Sequence, residues 1–104
     1  MAKYLLLYAG GSMPETEAEQ AQVMNAWTAW FTELGPAVVD PGNPFNADSK
    51  TISSGPTVTD AKATASGYSV IEADSLDQAA KLAENCPVLL GGAQVMVFET
   101  FNVM

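Results

Sequence analysis

Residues 2–9, Ala-Lys-Tyr-Leu-Leu-Leu-Tyr-Ala, are apolar on both sides of a strand, and Gly10-Gly11 ends them. An apolar run this short, bounded by turn residues, reads as a buried strand. Side chains alternate along a strand, so Tyr4, Leu6 and Tyr8 share one face while Leu5, Leu7 and Ala9 share the other. Both faces need cover. That demand limits the fold, because the rest of the chain offers only two helices to supply it.

The first helix is predicted over residues 15–34. Ser12 with Glu15 and Thr16 with Glu19 each have capping-box spacing, and the carboxylates there suit a helix N-terminus. Val23, Trp27, Trp30 or Phe31, and Leu34 recur at spacings of three and four, and Gly35-Pro36 stops the pattern. The second helix starts after Ser75, with Gln78 completing a capping box and Leu76, Ala79, Ala80 and Ala83 on one face. Pro87 ends it, because the residue before a proline avoids the helical region.

Between the helices, residues 36–48 turn repeatedly through Pro36, Pro41, Gly42, Asn43, Pro44 and Asp48. Residues 50–53 read as a second strand, and 54–66 as a small-residue excursion or hairpin-like extension. Residues 67–73 form a clearer strand, in which Tyr68, Val70 and Glu72 alternate with Ser69, Ile71 and Ala73. The last strand, in residues 93–103, sets Val95, Val97, Glu99, Phe101 and Val103 opposite Met96 and Phe98. The order β-α-β-β-α-β is that of the ferredoxin-like split unit: one α+β domain over residues 1–104 with an antiparallel sheet. Two helices cover one face of that sheet. The other face then calls for a homodimer in which two sheets pack face to face, a dimeric α/β barrel.

Charge narrows the function. Twelve carboxylates stand against four lysines with no arginine and no histidine, a net charge of -8. Such a chain repels nucleic acid and anionic membrane surfaces. Lacking histidine, it has no imidazole base, no Ser-His or Cys-His pair and no haem or zinc ligand of the usual kind. No metal-ligand or phosphate-loop spacing is present, so neither metal nor cofactor is expected. Cys86 is alone and reads as a small buried hydrophobe. The N-terminal run is at the lower limit of a signal-peptide core and nothing reaches membrane-spanning length, which leaves a cytoplasmic address by default.

The candidate site residues are Tyr8, Trp27, Asp40 and Tyr68, taken as the lining of a pocket between helices and sheet. Trp27, Trp30 and Phe31 read first as core, with one tryptophan beside Tyr8 bordering a cavity in which a planar ligand could stack. Asp40 and Asn43 sit in a loop that reads first as a turn and otherwise as a rigid arm over the pocket mouth. Glu72 and Glu99 are strand carboxylates among apolar neighbours, and burial there would suit a proton carrier. Tyr8, Asp40 and Glu72 are the candidate acid–base groups.

Four stretches, residues 3–10, 30–45, 67–87 and 95–100, give the chain a family likeness: it resembles the YCII-related proteins, small dimeric α/β-barrel domains of the ferredoxin-like type. The third stretch is the most specific, joining a strand, a capped short helix and a Cys-Pro stop. The resemblance implies the fold and the dimer. Some members are thought to be acid–base enzymes that use a His and Asp pair on small compounds; histidine is absent here, so that mechanism transfers to no residue. The Asp-Gly-Pro-Phe motif of a related branch is absent too, with Ser54-Gly55-Pro56 where it would be sought.

Three functions follow as expectations. The first is a dimeric domain holding a small, largely apolar molecule. The second is a cofactor-independent isomerase, lyase or monooxygenase. The third is a filled barrel that acts only through its acidic surface.

Overall fold

The computed structural model of the protein describes residues 1–11, 15–46, 48–60 and 65–103. Strand β1 (Ala2–Ala9) leads to helix α1 (Glu17–Leu34), a 3-10 turn and strand β2 (Val38–Asp40). A hairpin of β3 (Lys50–Ser53) and β4 (Thr57–Asp60) precedes the long strand β5 (Ala65–Ala73). Helix α2 (Leu76–Ala83), a 3-10 turn over Pro87–Gly91 and strand β6 (Gln94–Glu99) complete the chain.

The main sheet has the order β2-β5-β1-β6, and its pairings are antiparallel. This is the α+β, ferredoxin-like arrangement. The second strand of that sheet is not residues 50–53, as expected, but Val38–Asp40, inside the turn-rich segment. Residues 50–53 pair with 57–60 in a sheet of their own. The sequence invites the error because Lys-Thr-Ile-Ser has strand-forming residues, whereas Val-Val-Asp is too short to show a period.

Both helices begin as their caps dictate. The Thr16 hydroxyl accepts the Glu19 N–H at 3.1 Å, and the Ser75 hydroxyl accepts the Gln78 N–H at 3.1 Å. The return bond falls one residue early in each case: Glu19 accepts the N–H of Glu15, and Gln78 that of Asp74. The other expected cap, Ser12 with Glu15, lies outside the described residues. At the far end of α1 the Gly35 N–H donates to the Phe31 carbonyl with φ at +56°, a conformation that favours glycine.

The core lies between the helices and one sheet face. Tyr4, Leu6 and Tyr8 of β1 meet Ser69, Ile71 and Ala73 of β5, all buried, under Trp30 and Leu34 of α1 and Ala79 and Ala83 of α2. Trp27 and Phe31 pack on it half-buried. Buried indole N–H groups need an acceptor. Trp30 Nε1 has one, donating to the Leu82 carbonyl at 3.2 Å, so the bond ties α1 to α2. Leu76 and Ala80 depart from the expected helix face and are exposed; α2 is short, and it buries Ala79 and Ala83 with Leu82 half-buried against the core. The last strand ends at Glu99, which leaves Phe101 and Val103 exposed beyond it.

Among the described residues, no helix lies over the opposite sheet face. Register partners Leu5 with Val70 and Phe98, and Leu7 with Tyr68 and Met96, line its centre. All six are half-buried or exposed. No helix among the described residues is long and apolar enough to cross a membrane.

Candidate functional site

Strand register divides the four candidate residues between the two sides of the sheet. Tyr8 pairs with Gly67, and Tyr68 pairs with Leu7, so the two tyrosines point to opposite faces. Tyr8 and Trp27 meet on the helix side, edge to face with ring centroids 5.5 Å apart. Asp40 and Tyr68 meet on the open side, where the Tyr68 hydroxyl donates to Asp40 Oδ2 at 3.3 Å. These are two places, not one pocket lining.

On the helix side the polar atoms satisfy one another. The Tyr8 hydroxyl donates to Ser69 Oγ at 2.7 Å, and the Ser69 hydroxyl donates to the Pro41 carbonyl at 2.7 Å. Cys86 is buried against the same phenol. Trp27, Trp30 and Phe31 pack mutually, with centroids 5.2–5.7 Å apart. Burial pushes the Tyr8 phenol up, opposed in part by its bond to Ser69. Burial pushes the Cys86 thiol up as well, opposed by the Val88 backbone N–H and by Tyr8. Both groups stay protonated near neutral pH, which suits a packed polar seam rather than a nucleophile. Ser69 and Cys86 were not singled out as site residues. The signal for Ser69 was a hydroxyl among apolar residues on the inward face of β5.

This seam has a pH consequence. The folded phenol and thiol hold their protons more tightly than in the unfolded chain, where a thiol titrates near about 8.5 and a phenol near about 10. Their contribution to stability is complete below those values and is lost as the pH climbs through them toward the folded values. Urea unfolding is expected to give a level midpoint between about pH 7 and 8 and a falling one above about pH 9. A midpoint that stays level to about pH 11 would contradict the burial of these groups.

On the open side, the loop after β2 is fastened to β5. The Gly42 N–H donates to Asp40 Oδ1 at 2.8 Å, the Tyr68 N–H to the Asn43 carbonyl at 3.3 Å, and the Phe45 N–H to the Ser66 carbonyl at 2.8 Å. Gly42 has φ of +74°, and a Cβ there would stand 1.7 Å from the Tyr68 carbonyl oxygen. Only glycine permits that approach. The fastening sets the Phe45 ring in a stack on Tyr68, with centroids 5.9 Å apart, beside the Asp40 carboxylate. Phe45 was not among the candidates. Its signal was an aromatic residue following Asn-Pro in a loop otherwise made of turn residues.

Glu72 is half-buried on this open face, opposite Lys3 in the register. Glu99 lies at the sheet end on the helix side and accepts the Tyr4 hydroxyl at 3.0 Å. The two glutamates therefore do not share a face. Among the described residues, no group of three or more His, Cys, Asp or Glu side chains is placed to hold a metal ion.

Another concavity, a groove of about 340 Å³, lies between α1 and the turn after α2, with Ala26, Ala29 and Trp30 on one side and Cys86, Pro87 and Leu90 on the other.

The chain is similar to the solved structure of 5-chloro-2-hydroxyhydroquinone dehydrochlorinase (TftG) from Burkholderia phenoliruptrix AC1100 in complex with 2,5-dihydroxybenzoquinone. The identity is 23%, the TM-score 0.53, and the match covers 95% of this chain and 93% of that one. The likeness is one of fold. No family model matches the chain, and no curated protein does.

Proposed function

We propose that the chain holds a small, planar, largely apolar molecule bearing a hydroxyl or carbonyl group, on the open face of its sheet, in a chamber that a second copy closes. The observation that carries this reading is the corner formed by Asp40, Tyr68 and Phe45. It combines an aromatic stack, a phenol and a carboxylate on an apolar surface, held by backbone bonds to β5. Sites for small molecules have this character: apolar walls with a few placed polar groups. Tyr8 and Trp27, which sit on the helix side, support the sheet from behind.

A homodimer completes the reading. The open face exposes Leu5, Leu7, Val70, Met96 and Phe98 in one patch, and a contiguous apolar patch of this kind marks an interface. Two copies related by a twofold axis would cover each other and enclose the two corners. The YCII-related likeness of the sequence agrees with this, as does the fold shared with the dehydrochlorinase, whose structure holds a hydroxylated quinone.

A second reading rests on the same pair of residues. An Asp40 carboxylate already aligned with a phenol could take a proton from a bound hydroxyl, which would make the protein a cofactor-free acid–base enzyme.

The test is titration calorimetry with substituted hydroquinones and benzoquinones, followed by absorbance assays on any that bind. A binder is expected, and Asp40→Asn and Tyr68→Phe are each expected to weaken it about tenfold, the value of one lost hydrogen bond to a charged or paired group. Loss of turnover with binding retained in Asp40→Asn would select the enzyme reading. Binding that neither substitution alters would remove the corner from the site.

A further inference from the structure

The side-chain oxygens of the open-face corner are set to receive hydrogen bonds. A carboxylate has no proton to give, so in the contact between Tyr68 and Asp40 the phenol is the donor. That spends the one proton of the Tyr68 hydroxyl and leaves lone pairs on its oxygen. Asp40 Oδ1 is engaged by the Gly42 N–H, and Oδ2 keeps lone-pair capacity beyond the Tyr68 contact. The pair therefore offers a ligand acceptor capacity on two oxygens 3.3 Å apart.

The surrounding groups do little to restore the balance. Pro41 and Pro44 have no N–H, the Gly42 N–H is given to Asp40, and the Phe45 and Tyr68 N–H groups are given to the Ser66 and Asn43 carbonyls. Lys3 shares the open face, but it stands opposite Glu72, four residues along β5 from Tyr68, a separation of about 13 Å. Among the described residues the one salt bridge joins Lys50 to Asp60, so no ammonium group is drawn up to Asp40.

A ligand carbonyl arriving here sets lone pairs against lone pairs. It gains a hydrogen bond only by taking the Tyr68 proton from Asp40, which breaks a charge-assisted bond to make a weaker neutral one. A hydroxyl or amino group meets no such conflict and brings Oδ2 a further donor. A site built to bond a hydroxyl rejects the analogue lacking it far more strongly than an apolar pocket rejects a small change of shape. We propose that the corner selects hydrogen-bond donors: it takes aromatic hydroxyl and amino compounds and discriminates against the quinone of the same carbon skeleton. This rests on the open-face site proposed above and narrows its ligand from hydroxyl or carbonyl to hydroxyl or amino.

Asp40→Asn tests the rule because the loop fixes which atom changes. Asparagine makes the same turn as aspartate, so its amide oxygen keeps the Gly42 N–H and its amino group falls where Oδ2 was. That amino group donates to the Tyr68 oxygen, the phenol proton is released, and the corner becomes a donor.

Anaerobic titration calorimetry compares three ligands on one skeleton: tetramethylhydroquinone, diaminodurene and tetramethylbenzoquinone, whose filled ring positions leave no site for thiol addition. The parent should bind the hydroquinone and the diamine at least about tenfold more tightly than the quinone. Asp40→Asn should bind the quinone more tightly than the parent does and the diamine less tightly, closing most of that gap. Tyr68→Phe, which leaves Oδ2 in place, should keep the parent's order of preference. Equal binding of all three by the parent, with each weakened by Asp40→Asn, would overturn donor selection and leave the site standing. A preference that Asp40→Asn leaves unchanged would also overturn it, because the selection would then arise away from the corner. A parent that binds none of the three would overturn the site itself, and this inference with it.

Discussion

A glutamate at Leu7 is expected to convert the protein to single chains without unfolding them. Leu7 is at the centre of the open face, flanked in register by Tyr68 and Met96, and is half-buried in the isolated chain. Within one chain the new carboxylate turns to water at little cost. In a twofold pair the same substitution enters twice, and each buried, unpaired charge costs about 3–5 kcal/mol. The pair should weaken by about ten-thousandfold or more. Light scattering on a sizing column reads the outcome directly. A Leu7→Glu chain that keeps the parent's mass would show that the open face is not where copies meet, and would leave the Asp40 corner open to solvent.

Gly42→Ala is expected to give the largest loss of stability of any loop substitution. At φ +74° alanine is strained wherever it sits, and here its Cβ would also stand 1.7 Å from a backbone oxygen of β5. That oxygen belongs to a strand paired on both sides and cannot step back. The loop must peel away, and with it go the bonds from Gly42 to Asp40 and between Asn43 and Tyr68. A cost of about 2–4 kcal/mol follows. For a domain of this size that lowers the melting temperature by about 10–20 °C. Thermal unfolding and the ligand titration together check it: ligand affinity should fall with stability, since Phe45 and Asp40 lose their places. A variant that melts with the parent would mean that the loop is not clamped to β5.

Much of this architecture is legible in the sequence because it depends on local chemistry. Thr16 and Ser75 announce the helix starts, Gly35 and Pro87 mark ends, and the two-sided apolar run of β1 calls for cover on both faces. What depends on distant partners is not legible. Val38–Asp40 becomes a strand because β5 lies beside it, and nothing within those residues says so. Residues 50–53 look like a strand of the main sheet because their alternation is genuine, but it belongs to a separate hairpin. The site shows the same division. Tyr8, Trp27, Asp40 and Tyr68 are each visible in the sequence as candidates, yet which of them stand together depends on the parity of the β1–β5 register. One residue of slip would put both tyrosines on one face. The observed pairing separates them.

The two oxygens of Asp40 have different partners. Oδ1 holds the Gly42 N–H and Oδ2 faces the Tyr68 hydroxyl, so the carboxylate plane is fixed with respect to the sheet. Free rotation would let a carboxylate accommodate a hydroxyl arriving from many directions. Pinned in this way, it accepts along one bearing, and Phe45 stacked on Tyr68 fixes the tilt of any ring beside it. On the proposed reading, a corner built so would distinguish positional isomers: between two rings of equal size and polarity, it would favour the one whose substituent points at Oδ2.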